Sequence, residues 1–155
     1  MFGEDLFDLP RDGRQSETAL MVQRGVGRLL RASGLVMVTE LPLVSGRRAD
    51  VVAIDDAGDF WIVEVKSSVE DFRCDAKWPE YRHHCDRLFF ATHPDVPPEI
   101  FPGDAGLIVA DAFGAEIKRH APEHRMAGST RRAMLLRFAR AAAGRLHTLY
   151  DPQAA

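Results

Sequence analysis

Residues 47–68 read Arg-Arg-Ala-Asp50-Val-Val-Ala-Ile-Asp-Asp-Ala-Gly58-Asp-Phe-Trp-Ile-Val-Glu64-Val-Lys66-Ser-Ser68. Two β-rich runs, Ala49 to Asp55 and Phe60 to Ser67, flank the turn Asp56-Ala57-Gly58-Asp59, and a connection this short makes them antiparallel neighbours. Side chains alternate across a strand, so Trp61, Val63 and Val65 point to one face and Ile62, Glu64 and Lys66 to the other. Two charges inside an apolar strand carry a desolvation cost unless they are paired or hold a cation. On a solvent-facing strand they are an ordinary same-face ion pair, and E-x-K alone says little. Asp50 adds to it. It opens the preceding strand, and a short hairpin can bring it opposite the latter part of the next, beside Glu64 and Lys66.

Outward from this hairpin, Leu35 to Leu43 supplies a third strand and completes an antiparallel meander. Before it, Ser16 has the chemistry of an N-cap, Glu17 sits in the first turn, and Leu20, Met21, Val26, Leu29 and Leu30 follow helical spacing up to a stop at Gly34. Residues 1–15 read as an extended polar arm. After the hairpin, Val69 to Asp86 reads as helical, with Pro79 in the first turn of a second helical piece. Leu88 to Thr92 and Gly106 to Ala110 are buried strands, Glu116 to His120 is an edge strand, and Ser129 caps a final helix that runs to Tyr150. The order α-β-β-β-α-β-β-α gives an α/β fold, a mixed β-sheet flanked by helices, in one domain over residues 16–150. A chain of 155 residues with 46% hydrophobic and 28% charged residues is large enough for a self-supporting core.

Composition excludes several classes. No apolar run approaches the ~20 residues of a membrane span. The acidic start, Met1-Phe-Gly-Glu-Asp, lacks the features of a signal peptide, and Cys74 and Cys85 are too few for a secreted disulfide framework. The chain reads as cytoplasmic and without a membrane partner. A net charge of −3 does not advertise a polyanion partner, so any such partner needs a locally sorted patch. No Gly-rich phosphate loop, nucleophile elbow or dinucleotide fingerprint is present. Cys74, His83, His84 and Cys85 lack zinc-site spacing and read as a buried cysteine and surface histidines.

Paired carboxylates at Asp50 and Glu64 offer hard oxygen ligands to Mg²⁺, which keeps several waters and completes its shell with phosphate oxygens. A cation there lowers the pKa of bound water and stabilises charge on a phosphodiester, and Lys66 is placed to position or deprotonate that water.

With these elements in place, the chain resembles the PD-(D/E)xK nuclease superfamily, the restriction-endonuclease-like fold, over roughly residues 16–110. The matching letters are R-R-A-D ending at Asp50 and W-I-V-E-V-K-S-S from Trp61 to Ser68; Ala49 stands where a Pro often precedes the Asp. The resemblance implies that Asp50 and Glu64 bind Mg²⁺ (with Mn²⁺ able to substitute), that the Val65 carbonyl is a further ligand, and that Lys66 is the catalytic lysine. Glu17 matches an extra helical carboxylate of the junction-resolvase-like branch, which also has a Ser at the position of Ser67; as a plain reading, Glu17 is a helix-dipole carboxylate. Lys77 and Tyr81, four apart, match the Q-x-x-x-Y of an exonuclease branch with Lys for Gln and would position phosphate; otherwise they belong to an amphipathic surface helix. Over nearly its full length, including E-V-K-S-S, D-A-K-W-P-E-Y, C-D-R-L-F-F-A and G-L-I-V-A-D, the chain is similar to the bacterial MmcB-like family of DNA-repair endonuclease-like proteins.

Charge sorting bears on a DNA partner. Arg125, Arg131, Arg132, Arg137, Arg140 and Arg145 fall in a stretch without Asp or Glu, and Arg11, Arg14, Arg24, Arg28 and Arg31 lie on or before the first helix. Arg131 and Arg132, with Ser67, Lys77 and Tyr81, make up the expected DNA-contacting set, and phosphate contacts from such arginines carry no sequence information. Arg is also a good helix former on a solvated face. The expectation is an Mg²⁺-dependent DNA endonuclease of DNA repair. The alternative is a non-catalytic module of the same fold that binds DNA or a repair-protein partner; a scaffold using the Leu88–Phe90 region is a third reading. A bare core of this size leaves room for a homodimer.

Overall fold

The computed structural model describes residues 4–9 and 16–154. Helix α1 spans Glu4–Phe7 and α2 spans Glu17–Ala32. Strands β1 (Val36–Pro42), β2 (Arg48–Ile54) and β3 (Phe60–Val65) follow, then α3 (Val69–Arg73) and a 3₁₀ segment, Trp78–His84. Strands β4 (Arg87–Thr92), β5 (Gly106–Ala110) and β6 (Ala115–Arg119) lead to α4 (Gly128–Tyr150). The six strands form one sheet in chain order. β1, β2 and β3 are the antiparallel meander, β4 and β5 join in parallel, and β6 returns antiparallel. This is the expected α/β architecture.

Both faces of the sheet are covered, which is why the central strands read as near-continuous apolar runs. On one face Val22, Val26 and Leu30 of α2 pack against Val51, Ala53, Val63, Phe89 and Ile108. Gly25 permits this approach, since a Cβ there would strike the Asp111 and Gly114 carbonyls. On the other face Met134 and Ala141 of α4, with Tyr81 of the 3₁₀ segment, cover Leu41, Val52, Phe60, Ile62 and Leu88.

Local chemistry sets the ends. The Ser16 hydroxyl accepts from the Ala19 amide at 3.1 Å and starts α2, and Gly34 at φ +83° turns the chain out of it. Within β1, Glu40 adopts φ +47°. That costs a non-glycine residue about 1 kcal/mol or more, so the conformation must be held from outside. The buried Arg145 guanidinium does this, donating to the carbonyls of Leu6, Thr39 and Glu40.

Three expectations need correction. Residues 69–86 hold two helical pieces with Pro79 in the first turn of the second, as expected, but α3 ends at Arg73 and the second piece, Trp78–His84, is 3₁₀ and not α. Pro79 has no amide to donate into a longer helix, and Trp78 and Tyr81 already reach the core from the 3₁₀ segment. Ser129 does not cap α4; Ala127 is in the cap position, with no side-chain hydrogen bond, and the Arg131 amide bonds the Ala127 carbonyl at 2.9 Å. The N-terminal arm contains the turn α1, because Leu6 is buried and the Phe7 ring fills the space beside Gly144. Residues 1–3 and 10–15 of that arm, including Arg11 and Arg14, lie outside the described residues.

Candidate functional site

The β2–β3 ladder runs from Ile54↔Phe60 to Val51↔Val63. One residue further, side chains take over from the backbone. The Asp50 amide donates to Glu64 Oε2 at 2.8 Å, and the Val65 amide donates to Asp50 Oδ2 at 2.8 Å. Each strand thus presents a carboxylate to the other's amide where the two part. Among the described residues, Asp50 Oδ1 and Glu64 Oε1 take no hydrogen bond. Glu64 is 3% exposed, and Asp50, half-buried, is the pair's more open member.

Burial pushes the Asp50 carboxyl up to about 6, against the pull of the Val65 amide and the Lys66 charge. Burial also raises Glu64 well above the carboxylate range, and the Asp50 charge beside it raises it further. Two buried carboxylates this close resist joint ionisation. The Tyr81 hydroxyl, which donates to the Arg48 carbonyl at 3.1 Å, also lies beside Glu64 and favours its charged form.

Lys66 projects from the same face of β3 as Glu64 and is 7% exposed. Its ammonium donates to Asp75 Oδ2 at 2.7 Å. Burial works to lower its pKa, but the hydrogen bond and charge of Asp75, with Glu64 and Asp71 behind them, leave it raised. Lys66 is therefore a fixed cation, poorly suited to taking a proton. Its backbone is pinned as well: the Lys66 amide bonds the Ala91 carbonyl at 2.9 Å, and Thr92 Oγ1 donates to the Lys66 carbonyl at 2.7 Å. Asp71 and Asp75 have no periodic signature, so the sequence reading missed them; their common signal is proximity to the end of the E-x-K strand.

The other expected residues divide. The Ser67 amide and hydroxyl both turn to Asp71, closing the start of α3. Lys77 and Tyr81 do not share a side: Lys77 is exposed at the head of the 3₁₀ segment and Tyr81 is buried inside it. At three residues per turn, positions four apart do not stack. Glu17 stands exposed in the first turn of α2. No group of three or more His, Cys, Asp or Glu among the described residues is placed to hold a metal, so Glu17 does not join Asp50 and Glu64 in one.

Arg131 is a structural cation. It makes a bidentate pair with the fully buried Asp86, at 2.6 and 2.8 Å, and also donates to the Gly58 carbonyl. Asp86 also accepts from the Phe60 and Met126 amides. Arg137 donates to the Pro42 carbonyl, Arg145 is buried, and Arg140 lies over the Phe7 ring. Arg132 and Arg140 are the exposed arginines of α4 without a hydrogen bond or ion pair to the described residues, and of the two only Arg140 lies over an aromatic ring. The charge of α4 thus serves mostly to hold the fold.

The model for DNA repair proteins of the MmcB-like type matches residues 8–153. A solved structure of a protein of unknown function from Silicibacter pomeroyi is 42% identical, with a TM-score of 0.86 over 91% of this chain and 97% of that one. A repair endonuclease from Pyrococcus abyssi is 16% identical, with a TM-score of 0.37 over 59% of this chain and 43% of its own. No curated protein matches the sequence. No helix among the described residues is long and apolar enough to cross a membrane. The family match takes in the whole sheet, the carboxylate pair and α4, and the chain belongs to the MmcB-like DNA repair protein family.

Proposed function

We propose that this chain is a Mg²⁺-dependent deoxyribonuclease of the PD-(D/E)xK kind, a cytoplasmic protein of DNA repair whose partner is DNA. The observation that carries this reading is the meeting of Asp50, Glu64 and the Lys66 ammonium at one strand end, with Asp71 and Asp75 beside them. Four carboxylates around one ammonium leave the site negative, and a divalent cation offsets the burial and like charge that raise Asp50 and Glu64. The donor set fits: two carboxylates and the Val65 carbonyl are hard oxygens, few enough to leave room for water and a phosphate. Mg²⁺, or Mn²⁺ in its place, would there supply an acidified water and charge stabilisation at the phosphodiester.

The chain's own groups do the rest. Asp50 and Glu64 would hold the cation, each fixed through its second oxygen by a backbone amide. Lys66 stays protonated and balances charge that builds on phosphate oxygens, exchanging its bond to Asp75 for one to the substrate. The family supports a repair role for this chemistry.

One observation favours a non-catalytic DNA-binding module instead: both carboxylates and the ammonium already have protein partners. Incubation of the purified chain with branched and linear DNA under Mg²⁺ or Mn²⁺ separates the two. Cleavage lost in Asp50→Asn and in Lys66→Met, with circular dichroism unchanged, supports the nuclease. Cleavage retained in the double variant, or DNA binding without cleavage, overturns it.

A further inference from the structure

Helix α4 carries a second apolar face. Among the described residues, five of the eight exposed large apolar side chains lie on it: Leu135, Leu136, Leu146, Leu149 and Tyr150, at 40, 57, 48, 62 and 81% exposure. Its inward face, Met134, Phe138, Ala141 and Arg145, rests on the sheet, and Arg140 and Gly144 on one flank meet Phe7 of α1. The remaining arc faces solvent.

Along that arc, Arg132, Leu136, Ala139, Ala143, Leu146 and Tyr150 are all exposed. They are spaced four, three, four, three and four residues apart, the a/d rhythm of a coiled-coil seam. We propose that this seam pairs with the same helix of a second copy of the chain, antiparallel, about a two-fold axis near Ala141.

The seam is self-complementary in that register. Leu136 meets Leu146 of the copy, Ala139 meets Ala143, and Arg132 meets Tyr150, each layer occurring twice as an isologous interface requires. Every layer joins an a to a d position, the packing of antiparallel helices. The alanines at the centre let the two backbones approach closely. Leu135 and Leu149 flank the contact on the side away from Arg140. Arg132 lands on an aromatic ring, where a guanidinium is attracted by the π face.

Charge does not oppose the pairing. α4 has no Asp or Glu, yet Arg131, Arg137 and Arg145 are spent on inward bonds. The two Arg132 side chains stand at opposite ends of the interface, about 27 Å apart along the helix. Arg140, the cation that would face its own copy, is drawn over Phe7. A basic helix with free arginines at the centre of its seam would repel itself; here the one free arginine on the seam, Arg132, stands at its end.

Sedimentation equilibrium on the full chain across the micromolar range tests the pairing. Wild type should be dimeric, and Leu136→Arg or Leu146→Arg should weaken dimerisation at least tenfold; both sites are exposed, so the fold should survive, with circular dichroism as the check. In a Cys74→Ser background, Leu136→Cys/Leu146→Cys should form disulfide-linked dimers on oxidation, whereas Leu136→Cys alone should not, because its copies lie far apart in the antiparallel register. A wild type monomeric throughout would leave the seam to a different helix and overturn the proposal. So would a dimer indifferent to both arginines, or ready cross-linking of the Leu136→Cys single variant.

Discussion

Asp50 and Glu64 are each bound to the other's strand: the Asp50 amide donates to the Glu64 carboxylate, and the amide following Glu64 donates to the Asp50 carboxylate. The arrangement ends the β2–β3 ladder and leaves two like charges in a poorly hydrated place. Folding therefore raises Asp50 to about 6 from 3.8, and between those values the folded chain keeps a proton that the unfolded chain has released. Without metal, stability should fall as pH rises from about 4 to 6 through Asp50, and the raised Glu64 carries the fall further. Asp50→Asn keeps an oxygen for the Val65 amide and removes one charge. It should stabilise the metal-free chain by about 1–2 kcal/mol at neutral pH and by almost nothing at pH 4. Urea melts at the two pH values check this; a destabilised variant at neutral pH would contradict it.

The Lys66–Asp75 pair, with side chains 9% and 17% exposed, is less solvent-screened than a surface pair. Lys66→Met leaves Asp75 without its cation, and Asp75→Asn leaves Lys66 without its acceptor. The double variant should lose less than the two single losses together, with a coupling of about 1–3 kcal/mol in a double-mutant cycle. Additive losses would show that the pair does not act as a unit.

Asp86 and Arg131 join α4 to the turn between β2 and β3 and to the loop before α4. Burial opposes the Asp86 charge, but the Arg131 guanidinium and the Met126 and Phe60 amides hold its pKa down to about 2. Arg131→Ala should cost about 3–5 kcal/mol because a buried carboxylate is left unpaired. The contribution of Asp86 is present above about pH 4 and lost as pH falls through its folded value near 2. Denaturation midpoints of Arg131→Ala close to those of wild type would refute this role.

If DNA rather than a second copy of the chain lies along α4, Arg132 touches phosphate and Arg131 does not. Arg132→Ala should weaken DNA binding alike across sequences and lower the slope of log K against log salt by about one. Its melting temperature should not change. Fluorescence anisotropy over a salt series reads both values, and an unchanged slope would remove Arg132 from the interface.

How far the sequence could be read follows from where the information is local. The strands were legible because alternation and short turns are properties of neighbouring residues; β5 falls on Gly106–Ala110 as expected and β3 ends two residues early. Asp50 and Glu64 were legible because one hairpin fixes their register. The Lys66–Asp75 contact was not, because it crosses an aperiodic turn whose path depends on the Phe72 and Trp78 rings packing on Phe90. Nor was the direction of the α4 arginines. A helix shows that Arg131 and Arg132 are charged, but only the tertiary structure supplies Asp86 to one and solvent to the other. The positive φ of Glu40 and the Arg145 that secures it are 105 residues apart, beyond any local pattern.

The central claim is that Asp50 and Glu64 together hold a divalent cation, and calorimetric titration of Mn²⁺ above pH 7, with a non-hydrolysable DNA duplex present, tests it directly. Wild type should show one saturable binding event that weakens below about pH 6 as Asp50 takes a proton, and that disappears in Asp50→Asn and in Glu64→Gln. Equal heats in wild type and both variants, or none in any of them, would contradict it.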